Sequence, residues 1–269
     1  MLLPTDKTIE ITTAGYCPIK CTKYCPHEVY AKNYKGCKIL TRDVYHKMLD
    51  HVEPGTKVVF AGFSEPFISK DCVDMVKDTY NAGYSTSLST TLNGVTMEQI
   101  KDLCDNVEFE TLALHLPDPD HIANINVNQE YKDVFFYAVQ HVPMVFFISM
   151  NGFFWSNNRE NRNRGLKMPV KRYPIKCGKL KRGIPVILPN GDAVLCCHDF
   201  GLNYPLGNLL DSYLDEILTG PAMKKIKRSN LNPFSNYSLL CKQCTESWVI
   251  VPLPHRVKQW LNRNYQRGD

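Results

Sequence analysis

The sequence predicts an α/β fold, one barrel of parallel βα units with a small second module behind it. Three observations carry that prediction. A chain of 269 residues suits one such barrel plus an appended module better than two full domains. Short β-rich runs alternate with helical patterns as far as about residue 150, the order of a parallel sheet. From about residue 151 the texture turns polar and then reads as a hairpin.

Taken in order, the strand candidates are 8–13 (TIEITT), 57–62 (KVVFAG), 85–91 (STSLSTT), 110–116 (ETLALHL) and 143–150 (PMVFFISM). Between them Val44, Met48, Leu49 and Val52 recur at helical spacing behind Thr41, a candidate N-cap. Val73, Val76 and Tyr80 form a second stripe that ends before Gly83, and Tyr131, Phe135, Ala138 and Val139 form a third. Such stripes are core packing. The hairpin IPVILPNGDAVLCC turns at Asn190 and Gly191, and one helix pattern follows over roughly 211–228. A tail helix begins at about 255. The expected units are therefore a barrel over 1–165, an auxiliary module over 166–250 and a tail over 251–269.

Composition excludes several classes. With 43% hydrophobic and 22% charged residues the chain is neither collagenous, coiled-coil nor disordered. No apolar run is long enough to span a bilayer, and MLLPTDKTIE does not read as a signal peptide, so a cytoplasmic protein is expected. A net charge of +5 is too mild to argue for nucleic acid. Eleven cysteines in a reducing compartment point to metal rather than disulfides.

Cys17, Cys21 and Cys25 follow the first strand in GYCPIKCTKYCPH. On a helix they would form one stripe, but Pro18 and Pro26, with Gly15 ahead of them, favour a loop that turns three thiolates to one centre. Three thiolates fit a 4Fe-4S cluster that keeps one iron open, whereas structural zinc closes four ligands. The loop resembles that of radical SAM enzymes, in which it follows the first strand of a partial (β/α)6 barrel. Here the spacing is C-x3-C-x3-C, one residue longer than the family's usual C-x3-C-x2-C, and Tyr24 keeps the aromatic that precedes the third cysteine.

Two further segments support the resemblance, each at a strand end, where barrel enzymes place their chemistry. AGFSEPF resembles the family's Gly-Gly-Glu segment, which implies that Phe63, Ser64 and Glu65 border S-adenosylmethionine (SAM) and that Glu65 receives its amino group. STTLNG resembles the Thr-Asn-Gly turn and implies a place for Ser89, Thr91 and Asn93 near the SAM ribose or carboxylate. His115 ends the fourth strand and faces the same rim in a barrel, as a SAM or substrate contact or as a structural histidine.

Cys177, Cys196, Cys197, Cys241 and Cys244 contain C-x13-G-x4-C and then C-x2-C, spacing that proves metal but leaves zinc and iron open. Their order resembles the twitch module, the one-cluster form of the SPASM extension behind some radical SAM barrels. That resemblance implies a second 4Fe-4S cluster on Cys177, Cys196, Cys241 and Cys244, although the adjacent Cys197 is a rival for one place. Asn163, Arg164 and Gly165 resemble a segment between barrel and twitch in a dehydrogenase of the family, where His198 replaces an acid near the substrate. Arg164 and His198 are thus the catalytic candidates, one as an anchor or hydroxyl contact, the other as a proton acceptor.

Between 159 and 182 stand ten basic residues against the single acid Glu160. A solvated connector, an anionic substrate and a flavodoxin- or ferredoxin-like electron donor all fit such a run; it carries no base-reading motif. The leading expectation is a radical SAM oxidoreductase, dehydrogenase-like, acting on a polar small molecule. A peptide-modifying maturase is the alternative within the family. A zinc-binding interaction or nucleic-acid module is the alternative outside it.

Overall fold

The computed structural model describes residues 7–21, 25–117, 123–149 and 168–250. Tyr24, the segment with Asn163, Arg164 and Gly165, and the expected tail helix lie outside the described residues. Five parallel strands form the barrel wall: β1 Thr8–Ile11, β2 Lys57–Phe60, β3 Ser85–Thr90, β4 Thr111–Leu116 and β5 Val145–Ser149. They pair in sequence order, each strand beside the next, as in a barrel of successive βα units.

Their register explains the two faces. Ile11, Phe60, Leu88 and Leu112 stand in one row across β1 to β4. All four are buried in one core with Met48, Val76, Ile100, Leu103, Val134 and Ala138. Those six come from four helices: α2 (Arg42–Leu49), α3 (Cys72–Asn81), α4 (Met97–Asn106) and α5 (Gln129–His141). Period-two alternation sends the next row, Glu10, Val59, Ser87 and Thr111, to the opposite face. That face is mostly small and polar, with the Thr111 hydroxyl donating to Ser87 Oγ at 2.9 Å. Polar side chains are tolerated there because they pair with one another.

The second module is not separate from this sheet. Its hairpin strands β7 (Val186–Ile187) and β8 (Asp192–Val194) turn through Gly191, whose φ of 86° suits glycine. β7 lies parallel to β1, with Glu10 opposite Val186, and β8 and β9 (Pro205–Asn208) extend the sheet to eight strands. A second, two-stranded sheet pairs β6 (Ile175–Cys177) with β10 (Ser247–Val249) and sets Cys177 opposite Ser247.

Two expectations change in detail. The helix pattern over 211–228 is two helices, α7 (Leu214–Thr219) and α8 (Pro221–Leu231), broken at Gly220. Proline at 221 lacks an N–H and disfavours helical backbone before it, so the chain restarts there. The first strand stops at Ile11 rather than residue 13. Thr12 and Thr13 serve the neighbouring loop instead: Thr12 Oγ1 accepts from the Phe63 amide at 3.2 Å, and the Thr13 hydroxyl donates to the Pro66 carbonyl at 2.8 Å.

Candidate functional site

The loop after β1 is tied down from several sides. Gly15 N donates to the Lys38 carbonyl at 2.8 Å, and Asn124 N donates to the Ile19 carbonyl at 2.6 Å. Tyr30, buried on α1 (His27–Asn33), donates its hydroxyl to the Ala14 carbonyl at 3.1 Å. The loop after β2 fits beneath it only because residue 62 is glycine. Its φ is 78°, and a Cβ there would meet Thr12 Oγ1 at 2.0 Å.

These loops enclose a pocket of about 530 Å³ lined by Cys17, Cys21 and Cys25 together with Phe63, Ser64, Glu65, Ser89, Thr91 and His115. Nine residues expected from the sequence thus share one cavity. Among the described residues no three His, Cys, Asp or Glu side chains close on a single-ion position; the first three thiols ring a larger space. Burial pushes the Cys17 thiol up, and amides of Ile19, Glu65 and Lys20 that donate to its sulfur oppose the shift. Amides aimed at sulfur are what a metal-bound thiolate needs.

Glu65 is the most constrained acid of the site. It is 6% exposed, and its carboxylate accepts from Thr91 N at 2.8 Å, from the Thr91 hydroxyl at 2.7 Å and from the Thr90 hydroxyl. Burial raises its carboxyl, while those bonds favour the charged form. Such an acid is a preorganised acceptor rather than a solvated loop carboxylate. Ser64 Oγ accepts from Ala14 N at 3.1 Å, joining the two loops, and His115 Nε2 lies 2.9 Å from Ser89 Oγ. Asn93 is not among the residues that line this pocket. It lines an adjoining pocket with Asn126 and Tyr131, and its Oδ1 accepts from Asn126 N at 3.0 Å.

Two cysteines of the second group are packed more deeply, while Cys177, Cys196 and Cys197 are half-buried. Cys241 and Cys244 are buried at 8% and 7% exposure, on and just after the short helix α9 (Leu239–Lys242). Burial pushes Cys241 up to about 12 and Cys244 up to about 11, and Cys177 adds to both. Cys196 is raised by burial and by the neighbouring Cys197, Cys241 and Cys244. Glu246 N donates to Cys244 Sγ at 3.4 Å. Metal binding would displace protons from this thiol set.

His198 does not stand on the wall of the first pocket. It is 1% exposed with Nδ1 3.5 Å from Cys244 Sγ, so it belongs to the second cysteine group. Sequence reasoning missed the connection between the groups. Tyr30, Phe63 and Phe200 form a chain of ring contacts, with centroids 5.0 Å and 4.7 Å apart, and Cys25 and Cys197 pack against the same cluster. Three aromatics, each within six residues of a cysteine or of Glu65, were the only signal.

Comparison with known proteins agrees with this geometry. Residues 177–245 match SPASM, an iron-sulfur cluster-binding domain. The fold is similar to BtrN in complex with AdoMet and 2-DOIA, with TM-score 0.68 and 16% identity over 91% of this chain and 94% of that one. It is also similar to anSMEcpe with bound AdoMet, at TM-score 0.56 and 14% identity over 87% and 88% of the two chains. SuiB of Streptococcus suis bound to the precursor peptide SuiA matches at TM-score 0.53 and 10% identity, over 84% of this chain and 67% of that one. No curated protein matches the chain in sequence. No helix of the described residues is long and apolar enough to cross a membrane. Residues 177–245 thus resemble an iron-sulfur cluster-binding domain, set behind a partial barrel whose fold is shared with these solved structures.

Proposed function

We propose that the protein is a radical SAM enzyme that oxidises a polar small molecule. The observation that carries this reading is the single pocket in which Cys17, Cys21 and Cys25 face Glu65, Ser89 and His115. When bound, a 4Fe-4S cluster with an open iron and SAM would supply a 5′-deoxyadenosyl radical to take a substrate hydrogen atom, and an auxiliary cluster would take up an electron.

The chain's own residues do the rest. Cys17, Cys21 and Cys25 hold the first cluster, and Glu65 accepts the SAM ammonium in charge-assisted hydrogen bonds. Thr90 and Thr91 fix the carboxylate for that task. Ser89 and His115 form the wall beside it, and Phe63 closes the pocket towards the second module, excluding water that would intercept reactive species. Cys177, Cys196, Cys241 and Cys244 hold the auxiliary cluster, with Cys196 supported over Cys197 because it packs against the core that contains Cys241, whereas Cys197 packs against the Tyr30, Phe63 and Phe200 cluster. His198 orients Cys244. Arg164 remains the proposed substrate anchor.

With four cysteine ligands the auxiliary site has no open iron, which favours electron uptake over substrate binding. For an alcohol, loss of the carbinol hydrogen atom followed by loss of one electron and one proton gives the ketone. A small-molecule substrate is supported by the resemblance of motif order to 2-deoxy-scyllo-inosamine dehydrogenase and by the fold match to BtrN bound to 2-DOIA. The likeness to SuiB bound to a precursor peptide favours the second reading, peptide modification.

The test is an anaerobic screen of the reconstituted protein, reduced through flavodoxin or dithionite, for 5′-deoxyadenosine formed in response to candidate alcohols and peptides. Stimulation by a polyol with ketone as product supports the reading. Stimulation by peptides alone replaces it with peptide modification, and no SAM cleavage under any condition removes it.

A further inference from the structure

The basic run over 159–182 admits a solvated connector as one reading, yet two of its lysines are partly buried against the second cysteine group. Lys171 reaches back to the C-x2-C segment, where its ammonium donates to the Cys244 carbonyl at 2.5 Å and to Ser247 Oγ at 3.2 Å. Lys179, two residues after Cys177, is three-quarters covered and bonds Cys197; its Nζ lies 3.6 Å from Glu10 on β1.

Ammonium groups taken out of water are costly unless a negative partner repays them. Lys179 has one carboxylate, Glu10, and faces two cysteines besides. Lys171 meets a carbonyl and a hydroxyl and makes no ion pair among the described residues. A third lysine, Lys242, sits between Cys241 and Cys244 in sequence, but its ammonium caps carbonyls of Asn232 at 2.7 Å and Pro233 at 3.2 Å. That lysine fastens a turn. Lys171 is instead fastened to the backbone of Cys244 itself, and Lys179 lies beside Cys197, so the two ammonium groups stand on opposite sides of the second cysteine group.

Four thiolates around a 4Fe-4S core give a net negative site, and an added electron makes it more negative. Net charge and hydrogen bonding near the sulfurs set the potential of such a site. We propose that Lys171 and Lys179 are the residues that make the auxiliary site an electron acceptor, by placing two positive charges against its thiolates. The inference rests on the cluster assignment made above and deepens it: the site is built to be reduced rather than only to brace the module. It also gives Glu10 a role, as the barrel carboxylate that holds Lys179 in place across the junction.

The test uses the full chain with Cys17, Cys21 and Cys25 replaced by Ala, so that a cluster in the second group is observed alone. Its midpoint potential is followed by electron paramagnetic resonance during anaerobic reduction. Lys171→Met and Lys179→Met are each expected to make reduction about tenfold less favourable, a midpoint lower by about 59 mV for one electron. Lys179→Arg, which keeps the charge, is expected to stay within about twofold of the parent. Normal iron with unmoved midpoints in both methionine variants overturns the tuning role and leaves the cluster reading intact. Loss of iron in both assigns the lysines to assembly and also overturns it. If only one variant retains iron, its midpoint decides. No iron at all in the parent overturns the cluster assignment, and the tuning role with it.

Discussion

The two cysteine groups differ in how far their thiols are buried. Cys17, Cys21 and Cys25 are partly exposed on a pocket of about 530 Å³, and the loops around them are joined by hydrogen bonds from strand ends. Cys241 and Cys244 are buried, and Cys196 lies against them. On the proposed function, the difference follows from what each site would exchange. A centre that binds and releases SAM needs an open side and an acid such as Glu65 beside it. A centre that passes only electrons gains from closure, because low dielectric strengthens the effect of nearby charges. The Tyr30, Phe63 and Phe200 rings lie between them and hold the two settings in one relation.

The largest effect that tests this contrast is loss of iron. The parent protein should hold about eight irons after anaerobic reconstitution, and the Cys17, Cys21 and Cys25 triple alanine variant about four, with SAM cleavage abolished. Cys196→Ser should lower the iron of the second group, and Cys197→Ser should not. Equal losses in these two single variants would remove the distinction between the adjacent cysteines.

Next in size is the junction. Phe63 is 1% exposed and touches rings from both modules, so Phe63→Ala should cost about 3–5 kcal/mol of stability. The anaerobic denaturant midpoint measures it. A midpoint equal to the parent's would show that the two regions do not depend on this contact.

Glu65→Ala should weaken SAM binding by about 1.5–3 kcal/mol, one to two decades, with iron unchanged. Equilibrium dialysis of the reconstituted protein reads this directly. If iron falls instead, Glu65 braces the cysteine loop and the contrast between an open and a closed site loses its main support. The smallest effect belongs to Ser89→Ala, which removes the hydroxyl beside His115 Nε2 and should cost about 0.5–1.5 kcal/mol in SAM or substrate affinity. No change in either affinity would confine that pair to a structural role.

Much of the barrel was legible because its signals are local. Alternation along β1 to β4 and the three helical stripes follow from side-chain period and steric preference, which a short window contains. The helix α4 was overlooked although Thr96 and Gln99 form a capping box in the structure and the T-x-x-Q pattern stands in the sequence. The strands β6 and β9 are three and four residues long and carry no comparable pattern. Their pairing depends on partners distant in the chain.

By itself the sequence determined where the two thiol sets stand, because cysteine spacing, proline and glycine declare their chemistry within a few residues. It also determined that Glu65 and His115 end parallel strands and so meet the same rim. Only the tertiary structure decided that Glu65 is buried under three hydrogen bonds, that Asn93 lines a different pocket and that His198 lies against Cys244. It alone placed β7 on the edge of β1 and drew Lys171 and Lys179 out of a basic run to the auxiliary cysteines. The physical reason is range. A spacing of three or four residues is set by backbone geometry, whereas Glu10 reaches Lys179 only after the whole barrel has closed between them.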